Sequence, residues 1–203
     1  MQARHRHIAI ADAGFCGVGW SDQLAWLKRG LLNSRATWKV IASDMPLSLI
    51  VYDDAASKKG SEAFAQGDGP PRGREIEIAD LLRFIKTSGV SNTVWLTADV
   101  HYAAAHYYNP DKAQFQDFEP FWEFVSDPLH AGTFGPNELD NTFGPELKFI
   151  KAPGLDKQNL PPSAGMQFFG HVKIEGATGQ MIVTLRDRAD VALWSVTLDP
   201  KPR

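Results

Sequence analysis

Two residues at the end of an apolar run carry the most legible chemistry in this 203-residue chain. In "NTVWLTADVHYAAAHYY", residues 92–108, Val94, Trp95 and Leu96 give way to Asp99 and then His101. A carboxylate oxygen and an imidazole nitrogen this close together suit a divalent or trivalent metal ion. If the strand continued, the two would share one face. In a tight turn after the strand they could reach two neighbouring metals instead. The competing reading is a capping aspartate and a core histidine with its hydrogen bonds satisfied. Asp44 is the third candidate. It ends a second apolar, β-branched run, "TWKVIASD", just before Met45-Pro46. Two acids and a histidine converge only if both runs are parallel strands with their C-terminal ends on one edge. Otherwise Asp44 is a turn residue, a common use of aspartate. His106 follows, among Tyr102, Tyr107 and Tyr108. His106 and Tyr102 are candidates to orient a metal ligand or the substrate. The alternative for His106 is a structural histidine packed among aromatics.

The surrounding elements must put residues 44, 99 and 101 on one edge. "TWKVIAS", residues 37–43, reads as a buried strand. "GREIEIADLLRFIKTSG" is the clearest helix: Ile78, Leu81, Leu82 and Ile85 fall on one face, and Gly89 is a C-terminal stop. With the strand at residues 94–96 this makes a strand–helix–strand unit, which favours parallel pairing. Upstream, "SDQLAWLKRGLLNS" predicts a helix with Leu24, Leu27 and Leu31 on one face and Ser21 as its N-cap. Residues 53–73 predict a long loop rich in glycine, proline and charge, of a kind often functional. "FWEFVS", residues 121–126, predicts another strand. The two copies of "TFGP", at 133–136 and 142–145, predict Gly-Pro turns anchored by buried phenylalanines. The last forty residues, about "MQFFGHVKIEG", "QMIVTLRD" and "ALWSVTLD", alternate apolar with polar residues and predict a β-meander with one face buried. His171 shares the solvated face of its strand with Lys173 and Glu175.

Composition narrows the class. With 43% hydrophobic and 22% charged residues the chain can bury one sizeable core, and residues 1–203 read as a single domain. A net charge of -3 argues against a nucleic-acid-binding surface. Cys16 is the only cysteine, which excludes an intrachain disulfide, and no activating base identifies it as a nucleophile. No apolar run is long enough to span a membrane. Asp12 interrupts the apolar run behind Arg4 and Arg6, so no signal peptide is read there. His5, His7 and His130 have no partner legible in sequence, and there is no P-loop, dinucleotide fingerprint or Gly-x-Ser-x-Gly.

Five collinear stretches resemble the alkaline phosphatase D (PhoD-like) family: "DQLAWLKRGLLNSRATWKVIASDMPLSLIVYD", "GREIEIADLLRFIK", "VWLTADVHYAAAHYYNP", "DFEPFWEFVSDPLHAGTFGPNELDNTFGP" and "MQFFGHVKIEGATGQMIVTLRD". The resemblance implies an α/β, metallophosphoesterase-like (calcineurin-like) fold: a two-sheet sandwich flanked by helices. It implies a hydrolase, an alkaline phosphatase or phosphodiesterase acting on phosphate mono- or diesters at a multi-metal centre, with Fe3+ and Ca2+ as the suggested ions. Asp99 and His101 match the family's C-terminal metal-ligand motif. Asp44 sits where broader relatives often place a metal-binding histidine. Asp127 departs from the pattern, where glycine is expected. The first acidic metal-binding motifs of the family have no counterpart in residues 1–43, so the chain reads as the C-terminal half of such an enzyme, its isolated activity reduced. The alternative is an inactive fragment serving as a binding or oligomerising α/β module, with self-association covering the face the other half would occupy. Relatives are often exported, and the sequence does not fix a location.

Overall fold

The computed structural model describes residues 20–52, 54, 57–58 and 63–202. The readings on Arg4, His5, Arg6, His7, Asp12 and Cys16 lie outside these residues, as does part of the 53–73 loop. In chain order the elements are α1 (Trp20–Asn33), β1 (Lys39–Ala42), β2 (Leu49–Ile50), α2 (Glu75–Thr87), β3 (Thr93–Thr97), β4 (Ala103–Tyr108), β5 (Phe121–Ser126), β6 (Glu138–Leu139), β7 (Pro145–Lys151), β8 (Phe168–Ile174), β9 (Met181–Asp187) and β10 (Ala192–Leu198).

The central sheet has the order β1-β3-β5-β4-β7. Strands β1, β3 and β5 run parallel, and β4 returns antiparallel between β5 and β7. Side chains alternate across this sheet, so each face has its own core. On one face Ile41, Trp95 and Val125 meet Leu27 and Leu31 of α1 and Ile78, Leu81, Leu82 and Ile85 of α2. On the other, Trp38, Val94, Phe124 and Ala105 meet Met181, Val183 and Leu185 of the antiparallel sheet β10-β9-β8. The result is an α/β sandwich of two sheets, with helices on one outer side and a C-terminal meander on the other. The Trp38 indole N–H donates to the Gly179 carbonyl at 2.7 Å and ties the meander's first turn to the start of β1.

The parallel β1-α2-β3 unit forms as the patterning predicts. Differences from the sequence reading have local causes. Ser21 lies within α1, which already includes Trp20. β4 begins Ala-Ala-Ala, which has little intrinsic strand preference. Its small side chains are completely buried because β5 and β7 pair with it on both edges. β3 and β4 are consecutive in sequence but do not pair; β5 inserts between them. Only one of the two "TFGP" phenylalanines anchors its turn: Phe143 is fully buried, whereas Phe134 is 45% exposed.

Candidate functional site

Three parallel strands end on one edge, and an aspartate follows each: Asp44 after β1, Asp99 after β3 and Asp127 after β5. In open α/β sheets this C-terminal edge is where ligands bind. The β1–β3 pairing runs past the strands themselves. Ser43 N–H donates to the Leu96 carbonyl at 3.0 Å, and Ala98 N–H donates to the Asp44 carbonyl at 3.0 Å. The backbone of Asp44 therefore lies against the residue before Asp99. Both Asp44 and Asp99 are exposed.

The segment from Asp99 to His101 is a tight turn and not a continued strand. Asp99 has φ 60° and His101 φ 65°, a left-handed conformation that costs non-glycine residues roughly 1–2 kcal/mol each. The turn is held from outside. His101 N–H donates to Asp127 Oδ2 at 2.7 Å. The imidazole Nδ1 lies 2.5 Å from the Gly132 carbonyl, and the Phe134 ring stands edge-on at 5.0 Å between centroids. A carbonyl can only accept, so Nδ1 carries the proton, and in the neutral ring Nε2 is the nitrogen with the lone pair. This is the tautomer a metal-ligating histidine needs, with the orienting hydrogen bond on the opposite nitrogen.

Asp127 is buried, and its Oδ1 has no hydrogen-bond partner. Burial pushes its carboxyl up to about 6; the Asp99 charge adds to this, and the N–H groups of His101 and Tyr102 oppose it. Thr97 Oγ1, at the end of the neighbouring strand, is also buried and unpartnered. Two orphaned polar atoms at adjacent strand ends are unusual in a native core.

The side chains of His106 and Tyr102 have hydrogen-bond partners other than the three strand-end aspartates. His106 is buried inside the sheet's helix-side core, with Nδ1 2.9 Å from Glu123 Oε2. The same oxygen accepts the Tyr108 hydroxyl at 2.9 Å, while Oε1 accepts Leu47 N–H at 2.9 Å. Desolvation raises the Tyr108 phenol well above its usual range, with the nearby Glu123 charge acting in the same sense. Tyr102 is completely buried, burial likewise raises its phenol, and its hydroxyl accepts Asn137 N–H at 3.4 Å. His130 and His171 are exposed on other segments. Among the described residues, no group of three or more His, Cys, Asp or Glu side chains gathers closely enough to hold a metal ion.

For a metal, the donor set at the strand ends fits in part. His101 offers a pre-oriented Nε2, Asp99 an exposed carboxylate on the same turn, and Asp127 an orphaned oxygen behind it. Gly132 and Phe134, which fix the imidazole, were not legible as site residues, because only the folded loop brings them to His101. Asp127 was legible as a departure. Its role depends on β5 running parallel to β3, which local patterning does not reveal.

A family model described as PhoD-like phosphatase matches residues 10–185. No curated protein sequence matches the chain. Among solved structures, one titled "Structure of PhoD" is similar, at 16% identity and a TM-score of 0.49 over 87% of this chain. The chain spans 31% of the length of that structure.

Proposed function

Since the chain belongs to the PhoD-like phosphatase family, we propose that it supplies part of a metal-dependent phosphoester hydrolase centre, with Asp99 and His101 as ligands and Asp44 beside them. The observation carrying this reading is the imidazole tether: Nδ1–H donates to the Gly132 carbonyl and leaves Nε2 as the ring nitrogen whose lone pair could face a metal. Bound metal would polarise phosphoryl oxygens and lower the pKa of a coordinated water. The chain's own residues do the positioning. The Gly132 carbonyl fixes tautomer and ring angle. Phe134 packs against the imidazole and limits its rotation. Asp99 contributes negative charge that offsets the cation. Asp44 and Asp99, the two exposed strand-end aspartates, set the C-terminal edge of the sheet as the face a phosphate mono- or diester approaches.

A dinuclear centre needs more ligands than these, so the chain by itself is proposed to bind metal weakly and to turn over slowly. Hydrolysis of p-nitrophenyl phosphate and bis(p-nitrophenyl) phosphate, with and without added Fe3+ and Ca2+, tests this. The expected result is slow, metal-dependent turnover that His101→Ala abolishes. Rapid turnover by metal-stripped protein, or turnover unaffected by His101→Ala, contradicts the reading.

A further inference from the structure

We infer that Asp127 is a positioning residue for the Asp99–His101 turn, an inference that deepens the metal-centre reading above and rests on it for its functional consequence. The turn has two residues with positive φ separated by Val100, which is buried. Such backbone strain persists only where the surroundings over-determine it. Asp127 provides that constraint. Its Oδ2 accepts His101 N–H at 2.7 Å, and the Tyr102 N–H, next along the chain, acts on the same carboxylate. The first amide belongs to strained His101 and the second follows it directly, and the accepting carboxylate stands just past the end of β5. Next along the chain, the Pro128 carbonyl accepts Phe168 N–H at 3.1 Å, so the anchor is itself tied to β8.

A shorter residue cannot do this. Glycine or alanine at position 127 leaves both amides without the acceptor, and a buried unpaired N–H is costly. Keeping a buried carboxylate with one oxygen unpartnered is also costly, so stability alone does not account for it. The same turn carries the free Nε2. Asp127 therefore acts through His101: it holds the backbone, and Gly132 holds the ring.

Amide hydrogen exchange and Mn2+ calorimetry on the full chain, as wild type, Asp127→Ala and Asp127→Asn, test the assignment. In the wild type, the His101 and Tyr102 amides should be protected relative to those of the exposed 129–130 segment. Asp127→Ala should speed exchange at both amides at least about tenfold and weaken Mn2+ binding about 10- to 100-fold, the range seen when outer partners of metal ligands are removed. Asp127→Asn, which retains an acceptor oxygen, should restore most of the protection and affinity. If Asp127→Ala fails to fold, the wild-type amides decide: unprotected His101 and Tyr102 amides overturn the inference. So does an Asp127→Ala protein with wild-type exchange and affinity. If the wild type binds no Mn2+, the metal reading fails, and the exchange data still decide whether Asp127 holds the turn.

Discussion

The imidazole of His101 has one nitrogen committed to structure and one left free, and this division of labour is the main chemical fact at residue scale. His101→Ala should reduce metal affinity by at least about tenfold and, by removing the Nδ1–H bond to the Gly132 carbonyl, lower stability by about 1 kcal/mol; calorimetry and a melting curve check both. Gly135 is the residue-scale test of the supporting loop. It has φ +80°, and a Cβ there would lie 2.4 Å from the Tyr102 ring. Gly135→Ala should therefore destabilise by about 2–3 kcal/mol in urea denaturation, combining backbone strain with overpacking. The sequence reading finds Asp99 and His101 because residue type and spacing suffice to propose a ligand pair. It misses Gly132 because a backbone carbonyl leaves no residue-type signal.

At element scale the strands are set by pairing and the loops by buried carboxylates. Glu123 of β5 bridges Leu47, His106 and Tyr108 from inside the core. Glu123→Ala leaves three polar groups without this partner, each costing about 1–3 kcal/mol, so a loss of at least about 3 kcal/mol in urea denaturation is expected. Glu75, in the first turn of α2, accepts Gln66 N–H at 2.9 Å and Arg72 N–H at 3.0 Å and binds the described end of the glycine-rich loop. Burial pushes its carboxyl from 4.5 up to about 7, those two amides oppose the rise, and Asp140 beside it adds to it. The folded state thus holds this proton more tightly than the unfolded chain. The resulting stability is complete below pH 4.5 and is lost as pH rises through about 7. Between these limits wild type should lose about 2 kcal/mol more than Glu75→Gln; paired urea titrations at pH 5 and pH 8 measure the difference. The helix was legible from its apolar stripe, whereas Glu75 looked like an ordinary acidic first-turn residue. β4 was illegible for a related reason: its Ala-Ala-Ala start becomes a strand only between β5 and β7.

At the scale of the whole molecule, two cores on opposite faces of one sheet hold the strand ends in place. Trp194 of β10 lies 5.9 Å from Trp122, 6.3 Å from Phe124 and 6.1 Å from Phe149 between ring centroids, joining the meander to the central sheet. Trp194→Ala should cost about 3 kcal/mol, read from the denaturation midpoint and tryptophan fluorescence. Alternating patterning made the meander legible. The order β1-β3-β5-β4-β7 was not, because strand insertion is a long-range choice.

The most direct measurement of the central claim is long-range 1H–15N NMR of the His101 imidazole during titration with Zn2+. The account predicts the Nδ1-protonated tautomer in the free protein, followed by a change confined to Nε2 as metal is added, with the Nδ1 proton retained on Gly132. An Nε2-protonated ring in the free protein, or a His101 spectrum unchanged at saturating Zn2+, would contradict it.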